Sequence, residues 1–264
     1  MSVILKDDAA VRRYYEPTVP EANDLQFFVD RLTRKQLQRV TKFVKKYHKA
    51  TCDEMKDSVE ANRTMVLSQG ESVCLMHVCS LLPTEDVSDS VIHYVVRAMR
   101  TTIGVTDPSV YFFSSFFFTT LFQEWNLDPR LQNVFCYSQV ERWSSKLPKP
   151  INEMKTLIFF KNHMNAHWIL YVIFLEKKTI QEFDSLGGGK TVLLKGLYEW
   201  LRLEMVKVDI NLNETDWHLY PSRTNNTPQQ PNTWDCGIYM LLFGVCIAQG
   251  LPLTLCTQKR VNTA

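Results

Sequence analysis

Cys236 stands at the junction between a polar loop, "PQQPNTWD", and an apolar run, "CGIYMLLFGVCIA". At the first turn of a helix a thiol lies among unpaired backbone N–H groups and the positive end of the helix dipole. Both favour the thiolate over the thiol. Further along the same run a cysteine would be core filling. The position therefore suits a nucleophile, and Gly237 beside it leaves room for a substrate to approach. A thiol nucleophile needs a base, and the base needs a group to orient it. His167 opens the run "HWILYVIFL", and Asp184 lies at the end of the next, "TIQEFDSL". If the two are antiparallel strands joined at "EKK", the start of one lies beside the end of the other, and Asp184 comes next to His167. His48, His77, His93, His163 and His218 fall in helical, apolar, loop or short-strand stretches and have weaker claims. An attacked carbonyl also needs a hydrogen-bond donor for its oxygen. Gln230, in the loop that leads to Cys236, would supply one together with the Cys236 backbone N–H; Gln229 competes for the role.

These side chains need a sheet and a helix to hold them. "TLIFF", "HWILYVIFL" and "TIQEFDSL" are rich in β-branched and aromatic residues and are separated by "KNHMN" and "EKK", with "GGGK" after the last. They read as three strands of a buried sheet. "TVLLKGLYEWLRLEMV" reads as an amphipathic helix, "DWHLYP" as a further strand, and "SRTNNTPQQPNT" as a loop. Upstream, "EDVSDSVIHYVVRAMRTTIG" reads as a capped helix that buries Val91, Ile92, Val95, Val96 and Met99. The aromatic stretch "VYFFSSFFFTTLFQEW" reads as core packing, and "SVCLMHVCSLL" is apolar without a clear period. From Asp24 to Lys49 apolar residues recur at three- and four-residue spacing, with lysines and arginines opposite. That reads as a basic amphipathic helix whose charged face is a solvated surface, a docking surface or a targeting patch.

Composition narrows the class. A chain of 264 residues, 45% hydrophobic, can bury the core of one large domain, or of one domain plus an extension. A net charge of +2 demands no nucleic-acid partner. The seven cysteines are scattered with no C-x-x-C pair, which argues against a zinc site and a disulfide scaffold and for a reducing compartment. Lys6, Asp7 and Asp8 interrupt the apolar start, so no secretory signal is read. The longest apolar run, Gly237 to Ala248, falls short of the roughly 20 residues of a membrane span. We expect a soluble monomer of the nucleus and/or cytoplasm, with no cofactor, no metal, no membrane and no nucleic acid required.

Two blocks carry a resemblance. "HWILYVIFLEKKTIQEFDSLGG" resembles the His-Trp strand and Asp-Ser strand end of the SUMO-specific and related ubiquitin-like-protein cysteine proteases (Ulp/SENP type). "PQQPNTWDCGIY" is similar to their Pro-Gln-Gln-x-Asn-x-x-Asp-Cys-Gly motif, and the order His, Asp, Gln, Cys is the same. Weaker echoes lie in "VERWSSK", "VYFFSSFFFTTL" and "SDSVIHY", so the likeness runs over about residues 80–260. It implies an α+β fold: a papain-like cysteine protease core with a central mixed sheet flanked by helices, plus an N-terminal helical extension. Residues 1–70 would be the extension, and residues 71–264 a catalytic domain that stops short of the family's final helix. The implied activity is cleavage after the C-terminal Gly-Gly of a SUMO-like modifier, for precursor processing or deconjugation. By the resemblance His167 is the general base, Asp184 its orienter, Cys236 the nucleophile and Gln230 the oxyanion donor. Trp168, Asp89 and Asn232 would bind substrate, with Trp168 part of the lid over the Gly-Gly tail. The implied partners are the modifier and its conjugates. Two departures stand out. Asp86 occupies the place of a tryptophan that walls the glycine tunnel in the family, and Thr233 that of a glycine. Two other readings share these residues: a module that binds the modifier without processing it, prompted by Asp86, and an acyltransferase of the same catalytic order.

Overall fold

The computed structural model describes residues 85–102, 107–124, 133–189 and 191–257, with the short stretches 64–67, 71–74, 76–77 and 80–81. The basic helix expected over residues 24–49 lies outside them, and so does the side chain of Met99. Two short strands, β1 (Thr64–Leu67) and β2 (Glu71–Cys74), pair antiparallel across residue 70.

Five strands form the central sheet of the described residues, in the order β3 (Val110–Phe112), β4 (Thr156–His163), β5 (His167–Phe174), β6 (Thr179–Phe183), β7 (His218–Tyr220). The two outer pairings are parallel and the two inner ones antiparallel, so the sheet is mixed. All four expected strands are present: "TLIFF" continues to His163, and "DWHLYP" supplies the edge strand β7. β5 is buried over six consecutive residues, Trp168 to Ile173, because both faces of the sheet are covered; strands in that situation read as continuous apolar runs.

The helices divide between those faces. Ile158, Phe160, Trp168, Leu170 and Val172 face one cluster, with α1 (Asp89–Thr102) and α4 (Cys236–Ala248). Leu157, Phe159, Ile169, Tyr171 and Ile173 face the other, with α2 (Phe116–Leu121) and α3 (Thr191–Val206). Every residue of α4 from Cys236 to Cys246 is buried, as its all-round apolar sequence requires. It packs on β5 and α1, which sets its first turn against the start of β5. α1 begins under the Ser88 side chain, which accepts the Val91 N–H at 3.4 Å. Val91 and Ile92 are buried and Val95 and Val96 partly so, as the periodicity predicts. In the aromatic segment Phe112, Phe113, Phe117, Phe118 and Phe122 are core, Tyr111 is partly buried and Phe116 exposed, while Trp125 lies outside the described residues. "VERWSSK" forms only a 3-10 turn, Trp143–Lys146. None of the described helices is long and apolar enough to cross a membrane.

Candidate active site

The register of β5 on β6 places Leu170 opposite Phe183, so Asp184, the first residue past β6, lies beside the start of β5. His167 Nε2 and Asp184 Oδ1 are 2.7 Å apart. An ionised carboxylate only accepts, so Nε2 carries the hydrogen and, in the neutral ring, Nδ1 holds the lone pair. Asp184 is held from every side. Its oxygens accept the N–H of Leu186 at 2.8 Å and of Gly188 at 3.1 Å. Its backbone N–H donates to Ser222 Oγ, and its carbonyl accepts from Ser222 Oγ and Gln229 Nε2. A side chain at position 188 would collide with the carboxylate, so the glycine there is sterically required.

Burial alone would push the His167 pKa down. The hydrogen bond and charge of Asp184, joined by Cys236, outweigh it and raise the imidazole to about 9. Burial likewise pushes Asp184 up, but His167 and the N–H groups of Leu186 and Gly188 hold it below the ordinary carboxylate range. The Nδ1 atom is buried without a well-aligned hydrogen bond, while Cys236 lies close enough to raise the ring's proton affinity. Catalytic hydrogen bonds of unliganded sites are often loose in this way.

Cys236 is the first residue of α4 and has no exposed surface. Its Sγ accepts the Trp168 backbone N–H at 3.5 Å. The Trp168 indole Nε1 donates to the Val87 carbonyl at 2.7 Å, which ties the segment before α1 over the thiol. Gly237 belongs to this closure. A Cβ there would come within 2.8 Å of Val87 Cβ and 3.2 Å of Trp168 Cδ1. The sequence suggested that Gly237 makes room for substrate; in the structure it makes room for Val87 and Trp168. Gly237→Ala is therefore expected to destabilise the fold by about 1–3 kcal/mol through overpacking. Thermal denaturation would register this as a lower Tm; an unchanged Tm would mean that Val87 shifts aside freely.

Gln230 is buried, with Nε2 donating to the Asn232 carbonyl at 2.7 Å and Oε1 accepting from Ser185 Oγ. One of its two amide hydrogens is thus uncommitted. Both hydrogens of Gln229 Nε2 are taken, by the carbonyls of Asp184 and Thr227. Gln230, not its neighbour, retains a donor.

The three expected substrate contacts differ in placement. Trp168 is buried against Val87 and Gly237. Asp89 Oδ1 accepts from Ser115 Oγ at 2.8 Å, and that hydroxyl also meets His93 Nε2, which joins α1 to the start of α2. The Asn232 side chain turns back on its own loop: Nδ2 donates to Asp235, and Oδ1 accepts the N–H groups of Trp234 and Asp235. That is an Asx turn leading into α4. Asp86 is exposed beside this closure; burial and Glu85 raise its pKa, and the attraction of His167 partly opposes them. Val87 and Ser222 were not legible as site residues, because single loop residues carry no periodic or motif signal; Ser185 stood in the Asp-Ser strand end but was given no role. Among the described residues no group of His, Cys, Asp or Glu could hold a metal ion.

Residues 84–263 match the model of the Ulp1 protease family, C-terminal catalytic domain. The chain is 30% identical over 156 residues to Sentrin-specific protease 2 of Pongo abelii, covering 58% of this chain and 24% of that protein. It is 27% identical over 163 residues to Ubiquitin-like-specific protease 1 of Saccharomyces cerevisiae, covering 62% and 23%. The chain thus spans about a quarter of the length of these curated relatives. Its fold is similar to that of the C-terminal Ulp1 protease domain solved in complex with Smt3, the yeast ortholog of SUMO. The TM-score is 0.63 and the identity 24%, over 88% of this chain and 90% of that one.

Proposed function

The chain belongs to the Ulp1 protease family, and from that premise we propose that it is a cysteine peptidase that cleaves after the C-terminal glycine of a SUMO-like modifier. The observation that carries this reading is the His167–Asp184 pair, which leaves a basic ring nitrogen beside a thiol at a helix start. In the first half-reaction the Cys236 thiolate adds to the carbonyl carbon of the scissile amide. The negative charge moves to the carbonyl oxygen, where the Cys236 N–H and the uncommitted N–H of Gln230 stabilise it. The His167 imidazolium gives its Nδ1 proton to the leaving amine, the C–N bond breaks, and a thioester remains. Neutral His167 then takes a proton from water, and the hydroxide attacks the thioester. The modifier leaves with a free carboxylate, the thiolate is restored, and His167 keeps the proton.

The choice of substrate is supported by the names of the two relatives and by the modifier held in the solved relative. It also has a physical side. Cys236 has no exposed surface, and Val87 and Trp168 pack directly on Gly237 beside it, so the approach to the sulfur is narrow and favours a chain segment without side chains. A Gly-Gly tail meets that requirement.

The test is a panel of SUMO, NEDD8 and ubiquitin, each carrying a thiol-reactive group in place of its C-terminal carboxyl. We expect a covalent adduct with SUMO, lost in Cys236→Ala. No adduct with any of the three would favour a module that binds without cutting, and acetyl transfer from acetyl-CoA to lysine would favour the acyltransferase.

A further inference from the structure

We propose that Ser185 is a positioning residue for the Gln230 carboxamide: the Asn232 carbonyl selects which end of that amide donates, and the Ser185 hydroxyl anchors the other end and so holds the free N–H in place. This rests on the reading of Gln230 as the oxyanion donor. The two ends of a carboxamide are nearly equal in size and opposite in chemistry, and only the NH₂ end can stabilise an oxyanion. An unrestrained glutamine turns about its last torsion and presents either end.

Here the ambiguity is removed by the Asn232 carbonyl, and the Ser185 hydroxyl, which could donate or accept, then anchors the other end. The Asn232 carbonyl can only accept, so the atom 2.7 Å from it is Nε2. Oε1 then faces the other way, and the Ser185 hydroxyl donates to it. Asn232 holds one Nε2 hydrogen, and the second is left for charge that develops on the substrate. Ser185 is 1% exposed and Gln230 7%, so water cannot readily replace the hydroxyl. The two residues are also joined through the backbone, Gln230 N–H to Ser185 carbonyl at 2.9 Å. Ser185 directly follows Asp184. One strand end therefore orients the base through its first residue and the oxyanion donor through its second. Loss of the hydroxyl would leave Oε1 buried without a donor. The Asn232 carbonyl would still hold Nε2, but the amide, with its second anchor gone, would swing out of the pose that aims its free N–H at the substrate.

The test is steady-state cleavage of SUMO carrying a fluorogenic coumarin amide, by the unaltered chain, Ser185→Ala, Ser185→Thr, Gln230→Ala and the Ser185→Ala/Gln230→Ala double variant. Ser185→Ala should lower kcat about tenfold with KM unchanged, less than the roughly 10²–10³ expected when a whole oxyanion donor is removed. Ser185→Thr keeps the hydroxyl and should recover most of the loss. The double variant should be no slower than Gln230→Ala alone, because the serine acts only through that glutamine. Should Ser185→Ala not fold, the same cycle is run with Ser185→Cys, a weaker donor of similar size. An equal loss from the serine change in both backgrounds would overturn the proposal and leave the Gln230 reading standing. A rise in KM at constant kcat, or an unchanged kcat, would also overturn it. Full activity in Gln230→Ala would overturn both, and no turnover by the unaltered chain would overturn the proposed function with them.

Discussion

Replacing Cys236 with alanine is expected to lower kcat/KM on a SUMO C-terminal amide by about 10⁴-fold or more, while binding of the modifier survives. The separation follows from where the sulfur sits. It is buried under Val87 and Trp168, and it accepts the Trp168 N–H at a long 3.5 Å. Its loss removes one buried atom and a weak contact, a cost on the order of 1 kcal/mol. The walls that would clasp the tail remain. One further readout belongs to the thiol alone. Cys236 is among the groups that raise the His167 pKa, so in the variant the imidazole should titrate below its value of about 9 in nuclear magnetic resonance. Turnover near that of the unaltered chain would overturn the assignment and reduce Cys236 to a core thiol at a helix cap.

The parts of this site that were legible in the sequence are those set by local pattern. β5 and β6 announce themselves by β-branched and aromatic runs, and the short "EKK" turn forces their antiparallel pairing. From that pairing alone His167 and Asp184 had to meet, and they do. The apolar run after Cys236 likewise dictates a buried helix with the thiol at its start. What escaped were contacts between distant segments. Val87 caps Trp168 across 81 residues, and no periodicity links the two. Gly237 was read against an imagined substrate, when its neighbours are Val87 and Trp168. Residue chemistry alone left Gln229 and Gln230 open, since both are loop glutamines, and only the resemblance favoured Gln230. It turns on which amide has hydrogens already taken by backbone carbonyls, a property of the folded loop. Asn232 and Asp89 were assigned to substrate by the resemblance alone, and their hydrogen bonds within the fold are not visible in a sequence.

Asp184→Asn is expected to lower kcat/KM by about 10²–10⁴-fold and to move the alkaline limb of the pH profile down. The carboxylate accepts from His167 and Leu186 through one oxygen and from Gly188 through the other. Asparagine has one acceptor. With its oxygen toward His167 it sets NH₂ against the Gly188 N–H. With its oxygen toward Gly188 it sets NH₂ against His167 and the Leu186 N–H, and the imidazole must then carry its hydrogen on Nδ1, the wrong tautomer for a base facing Cys236. In both orientations the negative charge is gone, and with it the main force that holds the imidazole at about 9 against burial. Proton donation to the leaving amine needs imidazolium, so activity should fall as pH rises through about 9 in the unaltered chain and at lower pH in the variant. Stability should follow the same proton. The native pKa lies above the unfolded value of 6.5, so the stabilisation is complete below that pH and is lost as pH rises through about 9. The Tm difference between the two proteins should narrow across that window. An alkaline limb at the same pH in both would mean that Asp184 does not hold the imidazolium, and that its hydrogen bonds serve the loop alone.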